Sequence, residues 1–191
     1  DTWTRRALIH RQGHLADLAS LPVYANPDRY GRIVSDLNRL LERASRPSGV
    51  RVSLADYKDP RRSPTQSHDL IRAADAFQEN LFYPYFKKRI GHYIEKESIG
   101  VVGVSLNYLS QGLNTFALIG FLRQRFPQIR IVLGGGLVTS WMSRPGWNDP
   151  FSGLVDLMVA GPGEDVLLHL SGKVPVGGES HLPDFLMNPA A

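Results

Sequence analysis

The sequence predicts an α/β fold in which helices flank a parallel sheet, preceded by a mainly helical segment. From residue 99 onward, short apolar runs of strand length alternate with helical patterns, as in repeated β–α–β units. Glycine directly follows the second and third of these runs. This is typical of a strand that ends where the backbone must turn or be approached closely. Because the alternation of strand and helix patterns begins at residue 99, the helical segment is assigned to residues 1–98.

The first 48 residues have the apolar spacing of helices. In the stretch 3–21, Leu8, Leu15 and Leu18 lie near one face. A stronger stripe, with spacings of three and four residues, is formed by Tyr30, Ile33, Val34, Leu37, Leu40 and Leu41. Pro27 before this stripe and the RPSG sequence after it are start and stop signals. Two helices are therefore predicted.

The remainder of the helical segment is less regular. Residues 50–57 alternate apolar and polar side chains, as an extended segment does. A polar linker follows over 58–69, and residues 70–97 predict two helices broken near Pro84. We expect the whole of 1–98 to be an insertion that packs on the α/β part.

Three strands and three helices are predicted in alternation after residue 98. The predicted strands are IGVVGVSL (99–106), IRIVL (129–133) and DLMVA (156–160). The first is apolar almost throughout, as strands buried on both faces of a parallel sheet are. The predicted helices are 113–126, a short one after the glycines at 134–136, and 164–170. The α/β part is thus predicted to span 99–172, with an extended linker over 173–191.

Composition limits the classes of protein that the chain can represent. Apolar residues make up 42% and charged residues 21%, as in ordinary globular domains. No run reaches the roughly 18 apolar residues of a membrane span. Without cysteine there is no disulfide and no cysteine-ligated metal, which suits the cytoplasm. The net charge of +4 comes from scattered basic residues and favours solvated helix faces over nucleic-acid binding.

The two ends of the sequence predict a piece of a longer protein. The chain starts at Asp1 without an initiator methionine, and its polar start has no signal-peptide core. It ends in LPDFLMNPAA. We therefore expect further segments of the parent on both sides.

Three loops follow the carboxyl ends of the predicted strands, where open parallel sheets bind ligands. The loop 105–112 carries small polar side chains, 134–140 is nearly bare backbone, and 161–165 has two glycines and an acidic pair. Together they predict a shallow platform that holds a large ligand by its periphery. The triple glycine 134–136 then either admits that ligand against the sheet or only turns the chain tightly into a helix.

Other chemistries fit the sequence less well. The dinucleotide fingerprint would need Thr139 in place of its third glycine, and the acidic residue that follows, Asp156, lies at the wrong end of its strand. A P-loop is absent, because Leu167 stands where its first glycine is required. His10 and His14 have the spacing of metal ligands on a helix, but without a third ligand nearby surface histidines are favoured. No nucleophile–base or paired-carboxylate motif is present, so a binding module is predicted, with no catalytic and no metal-binding residue.

Two stretches of the α/β part carry a family resemblance. VVGVSLNYLSQGLNTFALIGFLRQRFPQIRIVLGGGLVTS, followed by DLMVAGPGEDVLLHL, resembles the cobalamin-binding-type domain that precedes the catalytic core in many radical SAM enzymes. That domain has a strand ending in Ser, a helix ending at R-x-P, a strand ending in Gly-Gly and then D-x-V-V-x-G-E-G-E-x-x-L-x-x-L. The residues that match this last element are Asp156, Val159, Gly161, Gly163, Glu164, Leu167 and Leu170. Pro162 stands where Glu is usual, and LPDF resembles the linker into the core. The match covers residues 99–185, less than half of the chain.

The resemblance implies a Rossmann-like domain whose carboxyl-edge loops contact the nucleotide tail of cobalamin. By position, the cofactor-binding residues would be Ser105, Leu106, Asn107, Tyr108, Ser110, Gln111, Gly134, Gly135, Gly136, Thr139, Gly161, Gly163 and Glu164. The family's first strand, first helix and second strand would precede Asp1. The D-x-H-x-x-G motif, which supplies an axial histidine to cobalt, is absent. A 4Fe–4S cluster and S-adenosylmethionine would belong to a downstream catalytic core, which is the expected partner.

The leading functional expectation is an accessory cobalamin-binding-type domain without catalytic activity of its own. Its parent would perform radical methyl transfer or rearrangement on a substrate that these residues do not specify. Two alternatives stay open. One is a scaffold domain that binds no cofactor and contacts the catalytic core, and the other is an independent nucleotide-binding α/β domain.

Overall fold

The computed structural model describes residues 1–170 and 172, together with the backbone of residues 186 and 187; for Asp165 only the backbone is described. The chain divides into two compact units, with the boundary between Arg61 and Arg62. The first unit is residues 1–61, and the second unit begins at residue 62. Within residues 1–170, no helix is both long enough and apolar enough to cross a bilayer.

The first unit is built on two long helices. The two are α1 (Thr2–Leu18) and α2 (Pro27–Ser45). Asn26 caps α2 by accepting a hydrogen bond from the Arg29 backbone N–H at 3.0 Å, and Pro27 occupies the first turn, where no N–H partner is needed. The start signal predicted at Pro27 is therefore confirmed. Short 3-10 helices flank α2 at Leu21–Ala25 and Arg46–Ser48.

The apolar stripes predicted on α2 and on α1 are each confirmed in part. Ile33 and Leu37 of α2 are buried with Val23, and Leu18 of α1 packs against them. Leu8 and Leu15 of α1 are each 54% exposed. Leucine spacing alone identifies a face of a helix, but it does not determine whether another helix packs on that face. A small antiparallel hairpin, β1 (Arg51–Val52) with β2 (Tyr57–Lys58), completes the unit.

The second unit begins with helices that were predicted to belong to the helical segment before the sheet. They are α3 (Ser67–Asp75), a 3-10 turn (Phe77–Glu79), α4 (Tyr83–Tyr85), a π-helical stretch (Phe86–Gly91) and α5 (His92–Glu97). The predicted break lies just before Pro84, which occupies the first turn of the second helical run. Predicted as part of a segment ending at residue 98, these helices belong to the same compact unit as the sheet.

The sheet and its helices alternate along the rest of the chain as predicted. Strands β3 (Val101–Ser105), β4 (Arg130–Gly134) and β5 (Leu157–Val159) are parallel and adjacent in that order. The helices are α6 (Leu109–Arg125), α7 (Gly136–Met142) and α8 (Glu164–Leu170). The mixed α/β class is therefore confirmed. Strand β6 (Leu186–Met187) pairs antiparallel with β5. The other residues of the linker predicted over 173–191 lie outside the described part.

Strand β3 differs from its prediction as a strand buried on both faces. It pairs only with β4 among the described strands, and Gly103 and Ser105 are exposed. An edge strand can be apolar in sequence and still remain partly open. The central strand β4 shows the expected burial instead, because Ile131 and Leu133 are fully buried on one face while Val132 packs with α8 on the other.

A half-buried arginine joins the end of α6 to the starts of β4 and β5. Arg123 donates to the Leu154 backbone carbonyl at 2.8 Å and to the Ile129 carbonyl at 3.2 Å, and it forms an ion pair with the Asp156 carboxylate. Asp156 also accepts a hydrogen bond from the Ile131 backbone N–H at 2.6 Å. Asp156 thus precedes its strand, at the edge opposite the three predicted loops, and has a structural role.

We expect Asp156→Ala to lower the free energy of unfolding by about 1.5–3 kcal/mol, because Arg123 then loses its charged partner. Urea unfolding followed by circular dichroism measures this change. Asp75→Ala is the matched control, since Asp75 is exposed and has no ion partner in the described part of the unit. Equal stabilities of the two variants would contradict the structural role of Asp156.

Candidate functional site

A cavity of about 300 Å³ opens at the carboxyl ends of β3, β4 and β5. Residue pairing across the sheet places Gly103 beside Val132 and Ser105 beside Gly134, on the face that packs with α8. The lining residues are Gly103, Val104, Ser105, Val132, Gly134, Gly135, Val159, Gly161, Pro162, Gly163, Glu164 and Leu167. The cavity therefore lies between the sheet and the first turn of α8.

The predicted site residues divide into two groups. Those that line the cavity are Ser105, Gly134, Gly135, Gly161, Gly163 and Glu164. Those that lie outside its lining are Leu106, Asn107, Tyr108, Ser110, Gln111, Gly136 and Thr139. Each of the three predicted loops contributes to the first group, which shows that the loops meet at one place.

Ser105 presents a hydroxyl group that is oriented by its own loop. The Asn107 side-chain amide donates to the Ser105 Oγ at 3.1 Å, so the Ser105 O–H can donate to a ligand. The Asn107 carbonyl oxygen accepts from the Gly136 backbone N–H at 2.8 Å. Asn107 therefore couples the first loop to the start of α7.

Gln111 and Thr139 are used within the protein. The Gln111 side chain accepts from the backbone N–H groups of Asn107 at 3.1 Å and Tyr108 at 3.2 Å, capping the start of α6. The Thr139 hydroxyl donates to the Gly135 carbonyl at 3.0 Å and accepts from the Gly161 N–H at 2.9 Å. These side chains hold the three loops together.

Three further predicted residues stand away from the cavity for different reasons. The Leu106 side chain is fully buried. Tyr108 is 68% exposed, and Ser110 is half-buried in the first turn of α6.

The triple glycine has more than one role. Gly135 has φ +105°, and a Cβ there would lie 2.6–2.9 Å from the Leu106 backbone. The neighbouring chain is therefore what approaches Gly135 closely. At Gly134 a Cβ would meet the Val159 carbonyl oxygen at 3.5 Å, an ordinary contact, and the residue lines the cavity. Nothing in the packing requires glycine at Gly134.

The lining is mainly backbone and apolar carbon, and Glu164 is the one charged side chain described in it. Among the described residues, a Cβ at Gly161 or Gly163 would have no neighbour within 4 Å. Within the described residues, no group of three histidine or acidic side chains is placed to hold a metal ion. The arrangement can hold a ligand through hydrogen bonds to backbone groups and Ser105, and through contacts with the apolar walls.

Several lining residues were not predicted from the sequence. They are Gly103, Val104, Val132, Val159 and Leu167, whereas Pro162 lies within the predicted loop 161–165. Gly103 could have been found, because the alternation of side chains along a strand places it on the same face as Ser105. Leu167 could not, because its contact depends on how α8 lies over the sheet; a Cβ at Gly103 would come within 3.0 Å of Leu167 Cδ2.

No protein-family model, no curated protein and no solved structure matches this chain.

Proposed function

We propose that the second unit is a Rossmann-like, cobalamin-binding-type domain of a radical SAM enzyme, and that its carboxyl-edge cavity holds one end of the corrinoid. The observation that supports this proposal most is the convergence of three predicted loops on one cavity, through Ser105, Gly134 and Gly161. These loops were predicted from their position at the carboxyl ends of the strands, and their residues also carry the family resemblance.

The described residues fit the tail of such a cofactor. A volume of about 300 Å³ is at the lower end of small-molecule sites, so it accommodates one end of a large ligand while the rest remains outside. Gly134, Gly161 and Gly163 would let the ligand approach the backbone, and the Ser105 O–H would donate a hydrogen bond to it. No histidine is among the described lining residues, so cobalt would receive no histidine ligand from them.

In this proposal the chain binds and orients the cofactor and performs no reaction by itself. Cobalamin supplies methyl-transfer or radical chemistry when it is bound. The 4Fe–4S cluster and S-adenosylmethionine belong to the downstream catalytic core of the same parent, in the cytoplasm. Ser105 and the glycines fix the position of the corrinoid relative to that core.

A scaffold without a cofactor is the second candidate, and a specific observation favours it. Asn107, Gln111 and Thr139 all make hydrogen bonds within the protein, and Gly135 is required by the Leu106 backbone. Much of the predicted polar loop chemistry therefore stabilises the fold itself.

Titration of the full chain with hydroxocobalamin, followed by absorbance and equilibrium dialysis, distinguishes the two candidates. We expect saturable one-to-one binding that weakens at least about tenfold in Ser105→Trp and Gly134→Leu, because both side chains would enter the cavity. Gly100→Trp is the matched control for Ser105→Trp. Gly100 directly precedes β3, at the end away from the cavity, and a Cβ there meets no described atom within 4 Å.

The outcomes separate the hypotheses. Absence of corrinoid binding, or equal binding by all variants, would contradict the cobalamin proposal. Parallel titrations with ATP and NAD test the nucleotide-binding alternative, which would require saturable binding of one of them that is lost in the same two variants.

A further inference from the structure

The first unit contains a polar groove between its two helices. Helices α1 and α2 lie antiparallel, as three contacts along them show. The Arg39 guanidinium lies 5.8 Å from the centre of the Trp3 ring, His14 bonds Asp36 at 3.1 Å, and Arg29 bonds Asp17 at 2.7 Å. Helical hairpins ordinarily bury apolar side chains at this position.

The side of α1 that lines the groove is polar along its length. Successive residues at spacings of three and four contribute to it, namely Trp3, Arg6, His10, His14 and Asp17. Of the apolar residues of the same helix, Ala7 is buried and Leu18 packs on Val23, Ile33 and Leu37, whereas Leu8, Ile9 and Leu15 are 54%, 72% and 54% exposed. Little apolar surface of α1 is therefore buried.

The groove has a volume of about 600 Å³, within the range of small-molecule sites. On α2 its lining includes two small residues one turn apart, Gly31 and Ser35. A Cβ at Gly31 would meet nothing within 4 Å, so packing does not require glycine there. Glycine in a helix interior is unfavourable relative to alanine; at Gly31 its effect is to leave the groove open.

Two cationic side chains of the groove have no anionic partner in the described part of the chain. Four arginines and three aspartates line it, and no lysine does. Asp17 is paired with Arg29, and Asp36 is shared by His14 and Arg39. Arg6 and Arg32 form no ion pair among the described residues; Arg32 donates only to the Asp28 backbone carbonyl at 3.4 Å. Asp28, which also lines the groove, makes no ion pair with any described residue either.

We propose that this groove binds a small molecule through a phosphate group, held by Arg6 and Arg32. Guanidinium groups match phosphate oxygens with paired hydrogen bonds, which ammonium groups cannot do. The rest of the molecule would lie along Trp3 and His10, whose rings line the same groove. This site lies wholly within the first unit and is separate from the cavity at the sheet edge.

Calorimetric titration of the full chain with AMP, adenosine, inorganic phosphate and malonate tests the proposal. We expect AMP to bind saturably and adenosine at least about tenfold more weakly. Arg6→Gln and Arg32→Gln should each weaken AMP binding about tenfold, the loss for one hydrogen-bonded charge pair. If inorganic phosphate binds as tightly as AMP, the ligand is free phosphate. If AMP binds more tightly than inorganic phosphate, the ligand is a phosphate monoester.

Matched controls keep the experiment selective. Arg5→Gln and Arg43→Gln remove exposed arginines from the same two helices outside the groove and should leave AMP binding unchanged. Gly31→Leu should keep or raise helix stability and abolish binding by filling the groove. Gly134→Leu, in the other unit, should have no effect on AMP.

Three results would overturn the proposal. They are equal affinities for AMP and adenosine, equal losses in Arg5→Gln and Arg6→Gln, and malonate binding as tight as phosphate. Absence of any binding by AMP and phosphate to the folded chain would overturn it as well.

Discussion

Replacing Gly120 with alanine is expected to lower the free energy of unfolding of the second unit by at least about 3 kcal/mol. Gly120 lies in the middle of α6, where α3 crosses it. A Cβ added there would lie 1.9 Å from the Ala74 carbonyl oxygen and 2.6 Å from the Ala74 carbonyl carbon. Because both atoms belong to the backbone of α3, no side-chain rotation can relieve the overlap, and the two helices would have to separate.

The change can be measured by urea unfolding followed by tryptophan fluorescence. Trp141 is 9% exposed whereas Trp3 is 60% exposed, so the signal reports mainly on the second unit. A loss of 3 kcal/mol corresponds to a melting temperature lower by roughly 6–12 °C for a chain of this size.

Two other substitutions in α6 complete the series. Gln124→Ala, at an exposed position, should leave stability unchanged. Gly112→Ala should fall between, because a Cβ there meets Leu70 Cδ2 and Pro64 Cβ at 3.3 Å; the end of the Leu70 side chain can move, and the contact with Pro64 needs a shift of only a few tenths of an ångström. If Gly120→Ala unfolded like Gln124→Ala, the close packing of α3 on α6 would be wrong.

The role of Gly120 shows where sequence reasoning ends for the fold. Alternating strand and helix patterns predicted β3, β4, β5 and the helices between them, because those patterns are local. The same reasoning interprets a glycine inside a helix only as a weak point. Its actual reason is the backbone of a helix more than forty residues earlier in the chain, and no periodicity of α6 contains that information.

The candidate site was predictable to a similar extent. The rule that ligands bind at the carboxyl ends of parallel strands brought Ser105, Gly134 and Gly161 to one cavity. It could not show that Asn107 would orient Ser105, or that Thr139 would join two loops. Those roles depend on hydrogen-bond distances between segments that are far apart in sequence.

The first unit illustrates a different limit. Leucine spacing predicted α1 correctly as a helix with Leu8, Leu15 and Leu18 near one face, but only Leu18 packs against the core cluster. The contacts between α1 and α2 also include the hydrogen bond of His14 with Asp36 and the ion pair of Asp17 with Arg29. Periodicity measures apolar spacing, and it cannot detect a polar contact between two helices.

Gly135→Ala is the second substitution expected to have a large effect, and its neighbour provides the control. The Leu106 N–H donates to the Gly134 carbonyl at 2.7 Å, and the Leu137 N–H donates to the Leu106 carbonyl at 3.1 Å. These bonds hold the Leu106 backbone against Gly135, so a Cβ there would overlap with it at 2.6–2.9 Å. The φ angle of +105° adds strain for any residue with a side chain. We therefore expect Gly135→Ala to reduce the free energy of unfolding by about 3 kcal/mol or more.

Gly134→Ala should change the same free energy by less than about 1 kcal/mol, because its Cβ would make only ordinary contacts with Val159. Urea unfolding of the two variants side by side measures the difference. Equal losses would mean that contact with Leu106 does not explain the glycine at 135. If Gly135→Ala loses much more stability than Gly134→Ala, then the fold requires glycine at 135, whereas only the cavity explains glycine at 134. Corrinoid binding by variants with a larger side chain at Gly134 would then report on the contact with the ligand alone, because the chain remains folded.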